Sequence, residues 1–246
     1  MTLVSLRGIS KTFDSGTQAI AALDMDVRAG EFVSLVGPSG CGKSTALRII
    51  ADLIAPTTGS VTWPGGKPEI GFVFQEPTLM PWRSALDNAR LPLELKGIAR
   101  ADSEARSREA LKRVGLGEFE KAYPRELSGG MKMRVSIARA IAAEPKLLLL
   151  DEPFAALDEL TRQSLNDDLL TLAREDKITV IFVTHSVYES AYLSDRVVVM
   201  TPRPGRVTAH IAIAQPPARS AAYRLTPPFT DAAGKISAAL GHAMAA

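Results

Sequence analysis

Leu23, Met25 and Val27 alternate with Asp24, Asp26 and Arg28, and Val4, Leu6 and Gly8 keep the same period of two. That period places one set of side chains on one face of a sheet, so the first thirty residues are predicted to form half-buried antiparallel strands. The pattern then changes. Phe32-Val33-Ser34-Leu35-Val36 is a near-continuous apolar run that leads into glycines, and Leu47, Ile50, Ala51 and Ile54 follow at helical spacing, predicting a helix over 45–53. Further buried strands are predicted at 71–74, 147–150, 179–183 and 197–200, each followed by a turn or helix signal. Residues 84–143 are charged, with helices predicted at 103–114 and 132–143 and no buried-strand pattern between them, so an all-helical insert is expected there. Pro202-Arg203-Pro204-Gly205 marks a turn. Beyond Pro216-Pro217 the chain becomes rich in Ala, Ser and Pro, and loose order is expected. The fold class is therefore α/β: a mostly parallel sheet with covering helices and an antiparallel β opening.

Charge narrows the function. The 246 residues carry 29 Lys+Arg against 27 Asp+Glu, a net +2, which is too small for a phosphate-neutralising surface, and no nucleic-acid partner is expected. A single cysteine, Cys41, permits neither an intramolecular disulfide nor a cysteine-based metal site and fits a reducing compartment. Residues 1–7 show no long apolar stretch, and apolar runs such as 147–150 fall far short of the ~18 residues of a membrane span, so a chain that is neither secreted nor membrane-spanning is expected.

Gly37-Pro38-Ser39-Gly40-Cys41-Gly42-Lys43-Ser44 matches G-x-x-x-x-G-K-[ST] between a predicted strand and a predicted helix. Glycines there let backbone N–H groups turn inward as an anion nest, and the helix N-terminus adds its positive end. Lys43 neutralises β/γ-phosphate charge, and the Ser44 hydroxyl ligates Mg²⁺. The run Leu147-Leu148-Leu149-Leu150-Asp151-Glu152 is a buried strand ending in two carboxylates that point opposite ways. Asp151 can hold the Mg²⁺ shell while Glu152 faces an attacking water as general base; read alone, the pair could equally be an acidic turn.

The deciding segment is Leu127-Ser128-Gly129-Gly130-Met131, which resembles the signature of ATP-binding-cassette (ABC) ATPases and lies between the two nucleotide motifs. The resemblance covers residues 1 to about 214. It implies a P-loop cassette over 1–214, with a RecA-like core sheet, an N-terminal antiparallel subdomain, a helical signature subdomain at about 84–143, and a tail at 215–246. It implies that Gln75 is the Q-loop glutamine that meets Mg²⁺ or water, that His185 is the switch histidine on the γ-phosphate, and that Asp158 signals across the dimer. It also implies that Phe13 stacks on adenine and that Thr45 joins the nucleotide-binding set. Ser128, Gly129 and Gly130 would cap the γ-phosphate of a nucleotide held by the opposite subunit, so that two cassettes sandwich two ATP head to tail.

The segment Phe74-Gln75-Glu76, Leu79-Met80-Pro81-Trp82 and the late Arg203-Pro204-Gly205-Arg206-Val207 resemble the nitrate/sulfonate/taurine group of importer ATPases. That group works with separate membrane permeases and a substrate-binding protein. The resemblance implies a peripheral protein on the cytoplasmic face of the inner membrane. Two positions depart from the group's pattern, Met133 after the signature and Ser186 after the switch histidine. The run Ser186-Val187-Tyr188-Glu189-Ser190 is also similar to ATPases of pyrimidine-precursor uptake. Two readings stand for Leu79, Met80 and Trp82: they line a groove for a permease helix, or Trp82 packs the helical insert onto the sheet. A soluble cassette with a non-transport role is the competing function.

Overall fold

The structure is a computed structural model that describes residues 1–214 and 219–245. In chain order it opens with β1 (Thr2–Thr12), β2 (Gln18–Arg28), β3 (Phe32–Val36), α1 (Lys43–Ile50), β4 (Thr58–Thr62) and β5 (Ile70–Val73). Three helices follow, α2 (Ala85–Leu95), α3 (Arg100–Arg113) and α4 (Gly129–Ile141). The rest comprises β6 (Leu147–Asp151), α5 (Glu159–Glu175), β7 (Thr179–Thr184), α6 (Val187–Leu193), β8 (Arg196–Met200), β9 (Gly205–Ala212) and α7 (Pro227–Ala245). Short 3-10 turns occur at Gly117–Phe119, Pro124–Glu126 and Ala221–Leu225. The chain divides into two compact units, Met1–Lys67 with Thr179–Ala246, and Pro68–Ile178.

The first unit is built on a mixed sheet. β1 pairs antiparallel with both β2 and β4, while β3 lies parallel between β7 and β8, with Val36 opposite Thr184 and Val199. β9 joins the two halves, antiparallel to β8 and parallel to β2. Every residue of β3 and β7 is buried, as expected of parallel strands covered on both faces. In β2 the period of two is kept: Leu23, Met25 and Val27 are buried while Asp24, Asp26 and Arg28 face solvent.

The tail is ordered where it is described. α7 buries Phe229, Ala232, Ala233 and Ile236, spaced i, i+3, i+4, i+7, the stripe of an amphipathic helix. Tyr223 meets Phe229 edge-on with ring centroids 5.7 Å apart, and the Arg224 guanidinium lies 3.7 Å from the Tyr192 ring centroid. Alanine has the highest helix propensity, and four well-placed apolar residues suffice to dock it. The expectation of loose order is thus corrected for 219–245, while Pro216-Pro217 lie outside the described residues.

In the second unit β5 and β6 run parallel, Ile70 opposite Leu147 and Val73 opposite Leu150. α2, α3 and α4 fall within the stretch where only helices were expected. Ser84 and Ser128 cap α2 and α4 by accepting the amide N–H groups of Asp87 and Met131.

Candidate functional site

The candidate residues divide between the two units. In the first, β3 ends at Val36 and the chain turns through Gly37 to Gly42 before α1 begins at Lys43. Gly40 (φ 75°) and Gly42 (φ 100°) take the left-handed conformation that other residues reach only with strain, and a Cβ on Gly42 would stand 2.8 Å from the Ala19 carbonyl. The Lys43 side chain is buried, and Nζ donates to the carbonyls of Gly37 at 2.8 Å and Pro38 at 3.1 Å. A buried ammonium folded onto the loop's own carbonyls, at the N-terminus of a helix whose first amides point outward, is an anion cradle held by internal bonds. The residues present therefore fit a nucleotide phosphate. Ser44 and Thr45 are half-buried on the first turn of α1, and Ser39 is exposed at the loop's tip.

Cys41 in this loop has no exposed surface, and burial pushes its thiol up although the Lys43 ammonium pulls it down. Phe13 follows β1 with 41% of its surface exposed and the Lys11 ammonium 5.5 Å from its ring centroid, an aromatic face open to a planar ligand. His185 is exposed directly after β7, between two anchored neighbours. Thr184 donates its hydroxyl to the buried Glu189 carboxylate, and Ser186 gives its amide to the Thr184 hydroxyl at 2.9 Å while capping α6.

In the second unit Asp151 closes β6 with 5% of its surface exposed. The next residue, Glu152, is half-buried at φ 47°, a conformation costing a non-glycine residue about 1–3 kcal/mol and concentrated where a side chain must be aimed. Gln75 is exposed two residues beyond β5. Ser128 and Gly129 are exposed at the start of α4, whereas Gly130 is buried with its Cα so close to α5 that a Cβ would stand 2.7 Å from the Thr161 methyl. Asp158 caps α5, accepting the Thr161 amide at 3.0 Å, and the Thr161 hydroxyl and amide hold its carboxyl below the usual range. The signature residues and Asp158 are thus brought together at the N-termini of two packed helices.

Sequence reasoning missed two residues of this unit. Arg139 on α4 donates to the carbonyls of Pro77 at 2.9 Å and Thr78 at 3.0 Å, and to the Thr78 hydroxyl, fixing the segment after Gln75 where Thr78 holds φ 47°. Burial lowers the pKa of that guanidinium. Asn88 on α2 has no exposed surface, accepts the Met80 amide at 2.8 Å, and donates to the carbonyls of Met80, Arg83 and Ser84. Neither belongs to a motif; the only signal was a polar residue at a helix position that packing then buried. The loop so tied presents Trp82 with 72% of its surface exposed, so the reading in which Trp82 packs the insert is corrected. A groove of about 300 Å³ does exist in this unit, lined by Phe72, Phe74, Leu91, Leu95 and Arg139, and not by Leu79, Met80 and Trp82.

Comparison with known proteins agrees with this geometry. Residues 20–155 match the family model described as ABC transporter. An uncharacterised ABC transporter ATP-binding protein of Methanocaldococcus jannaschii is 48% identical over 85% of this chain and 82% of its own. A taurine import ATP-binding protein of Rhizobium johnstonii is 45% identical over 78% of this chain and 75% of its own, and an aliphatic sulfonates import ATP-binding protein of Bacillus cereus is 44% identical over 83% of each. Among solved structures, a dimeric ATP-binding cassette in a post-hydrolysis state with ADP and Pi matches with TM-score 0.78 and 35% identity, covering 87% of this chain and 100% of that one.

Proposed function

Because the chain belongs to the ABC transporter family, we propose that it is the ATP-hydrolysing subunit of an importer for a small sulfonate-like solute. The observation that carries the ATPase half of this reading is the buried Lys43 ammonium set on the Gly37 and Pro38 carbonyls at the mouth of α1. ATP supplies a γ-phosphoryl group whose hydrolysis releases energy and charge. Gly37, Pro38, Ser39, Gly40, Cys41 and Gly42 wrap the phosphates, Lys43 neutralises them, and Phe13 takes the adenine face. Ser44 in the first unit and Gln75 and Asp151 in the second each carry an oxygen donor of the kind Mg²⁺ takes, an ion that fills most of its shell with water and phosphate oxygens. Glu152 accepts the proton of the attacking water, and His185 orients that water.

Ser128, Gly129 and Gly130 stand exposed or at the head of α4 and are read as the cap on the nucleotide of a second copy, with Asp158 beside them. Dimeric ABC cassettes among the solved structures support this assembly. Among the described residues no helix is long and apolar enough to cross a membrane. Separate permease subunits and, through them, a substrate-binding protein are read as its partners. The groove beside Leu95, itself 79% exposed, and the projecting Trp82 are read as the permease contact on the cytoplasmic face. The import names of relatives at 44–45% identity support the solute class.

The test is capture of the tagged protein from gently detergent-solubilised cells of its source, followed by mass spectrometry. A polytopic membrane protein that is retained by the parent and lost with Trp82→Ala supports the reading. Soluble partners alone, with ATPase activity intact, would replace it with a non-transport role.

A further inference from the structure

The phosphate loop is gripped from its outer side by a turn 160 residues away in sequence. The turn between β8 and β9 is rigid in itself: the Thr201 amide donates to the Arg206 carbonyl at 2.9 Å, and the Arg206 amide donates to the Thr201 hydroxyl at 3.0 Å. Three positions of this corner, the last of β8, one in the turn and the first of β9, then approach three positions of the loop. The Met200 carbonyl lies 2.9 Å from where a Cβ on Gly37 would stand. Arg203 donates Nε to the Gly40 carbonyl at 3.1 Å, and its Nη2 lies 2.9 Å from where a Gly40 Cβ would stand, so the guanidinium lies against that glycine. A Cβ on Gly205 would fall inside the Cys41 carbonyl.

In an anion nest the N–H groups converge on the ligand and the carbonyls face away, where a protein donor fixes their direction as water does not. Lys43 serves the carbonyls of Gly37 and Pro38. Gly40, in the left-handed conformation at the loop's tip, is served by Arg203. We propose that the β8–β9 turn braces the phosphate loop, and that Arg203 is a positioning residue which holds the loop in its phosphate-binding shape before nucleotide arrives. This rests on reading Gly37 to Ser44 as the phosphate site. Arg203 touches no reacting atom; it acts through the Gly40 carbonyl, and Gly205 is glycine because the loop backbone leaves no room for a side chain there.

The experiment is calorimetric titration of the full chain with MgADP, a probe that needs the loop but not a second copy, together with iodoacetamide labelling of Cys41 in the nucleotide-free protein. Loss of one charge-assisted hydrogen bond should weaken MgADP binding of Arg203→Ala about 3- to 10-fold. Arg203→Lys, which keeps one donor and the charge, should recover at least half of that loss on a logarithmic scale. Cys41, buried within the same loop, should react faster in Arg203→Ala than in the parent. Gly205→Ala should lose more affinity than Arg203→Ala, because backbone must move. Parent-like MgADP affinity in Arg203→Ala overturns the brace, as does a lysine variant no better than the alanine one. Lys43→Ala separates the two levels: if it too binds like the parent, the phosphate-loop reading itself has failed, whereas its loss beside an intact Arg203→Ala refutes the brace alone.

Discussion

Asn88→Ala is the substitution whose cost can be worked from contacts. The side chain accepts the Met80 amide at 2.8 Å and aims its NH₂ at three carbonyls, Met80, Arg83 and Ser84, at 3.0–3.1 Å. An amide carries only two hydrogens, so one accepted and two donated bonds are available at once. The Ser84 carbonyl already receives the Asn88 amide and the Met80 carbonyl the Arg83 amide, so those groups keep a partner when the side chain is cut. The Met80 amide is the group that loses the bond it makes to Asn88. Three bonds at about 1 kcal/mol each bound the loss at about 2–3 kcal/mol, which for a chain of this size lowers Tm by about 4–12 °C. Scanning calorimetry reads the Tm shift, and amide exchange at Met80 reads the protection lost with the bond to Asn88. A shift below about 2 °C with unchanged Met80 protection would refute the claim that Asn88 holds the loop carrying Trp82.

Other expectations are equally direct. Glu152→Gln should bind MgATP like the parent and lose hydrolysis by at least about 100-fold, the scale of a general base; normal turnover would remove Glu152 from that role. Cys41, buried and with a raised thiol pKa, should alkylate slowly in the folded parent and quickly in guanidinium, and fast labelling of the native protein would contradict its burial. His210 pairs with the Arg196 guanidinium at 3.0 Å, and partial burial first, then that charge, depress its pKa. The unfolded chain therefore takes up the proton more readily, and stability should fall as pH drops below about 6.5; His210→Gln should flatten that slope, and an unchanged slope would assign it to other groups. Ile236→Asp, on the buried stripe of α7, should destabilise the fold by about 2–5 kcal/mol, and a silent substitution would mean that the helix does not dock.

Elements defined by their own residues were legible in the sequence. β3, β6 and β7 stand where apolar runs of four or five residues, bounded by turn signals, read as fully buried strands, and the loop from Gly37 to Ser44 was readable because anion binding dictates both its glycines and its lysine. β4 was not foreseen: Thr58–Thr62 is an edge strand with no fully buried side chain, and only pairing with β1 defines it. β9 hid behind the Pro202–Gly205 turn signal, and α7 behind a composition that resembles a linker. Arg139 and Arg203 act on backbone carbonyls remote in sequence, and no spacing rule reports such a contact; Asn88 acts on carbonyls just before its own helix, in a loop whose path no motif defines. Nothing in the sequence reports that Cys41 is sealed, yet within its loop it has no exposed surface.

Ser128, Asp158 and Ser186 share a property with an evolutionary consequence. Each caps a helix, α4, α5 and α6 in turn, and each lies in or beside a segment assigned to nucleotide chemistry. If the proposed roles hold, drift at these positions is filtered twice, once by folding and once by turnover, and few single steps pass both filters. Asp158→Asn is one that separates them, since asparagine caps as well as aspartate but brings no charge. A lineage that had abandoned hydrolysis could accept it without losing the helix, so the residue type at 158 would record whether the cassette still works for its living.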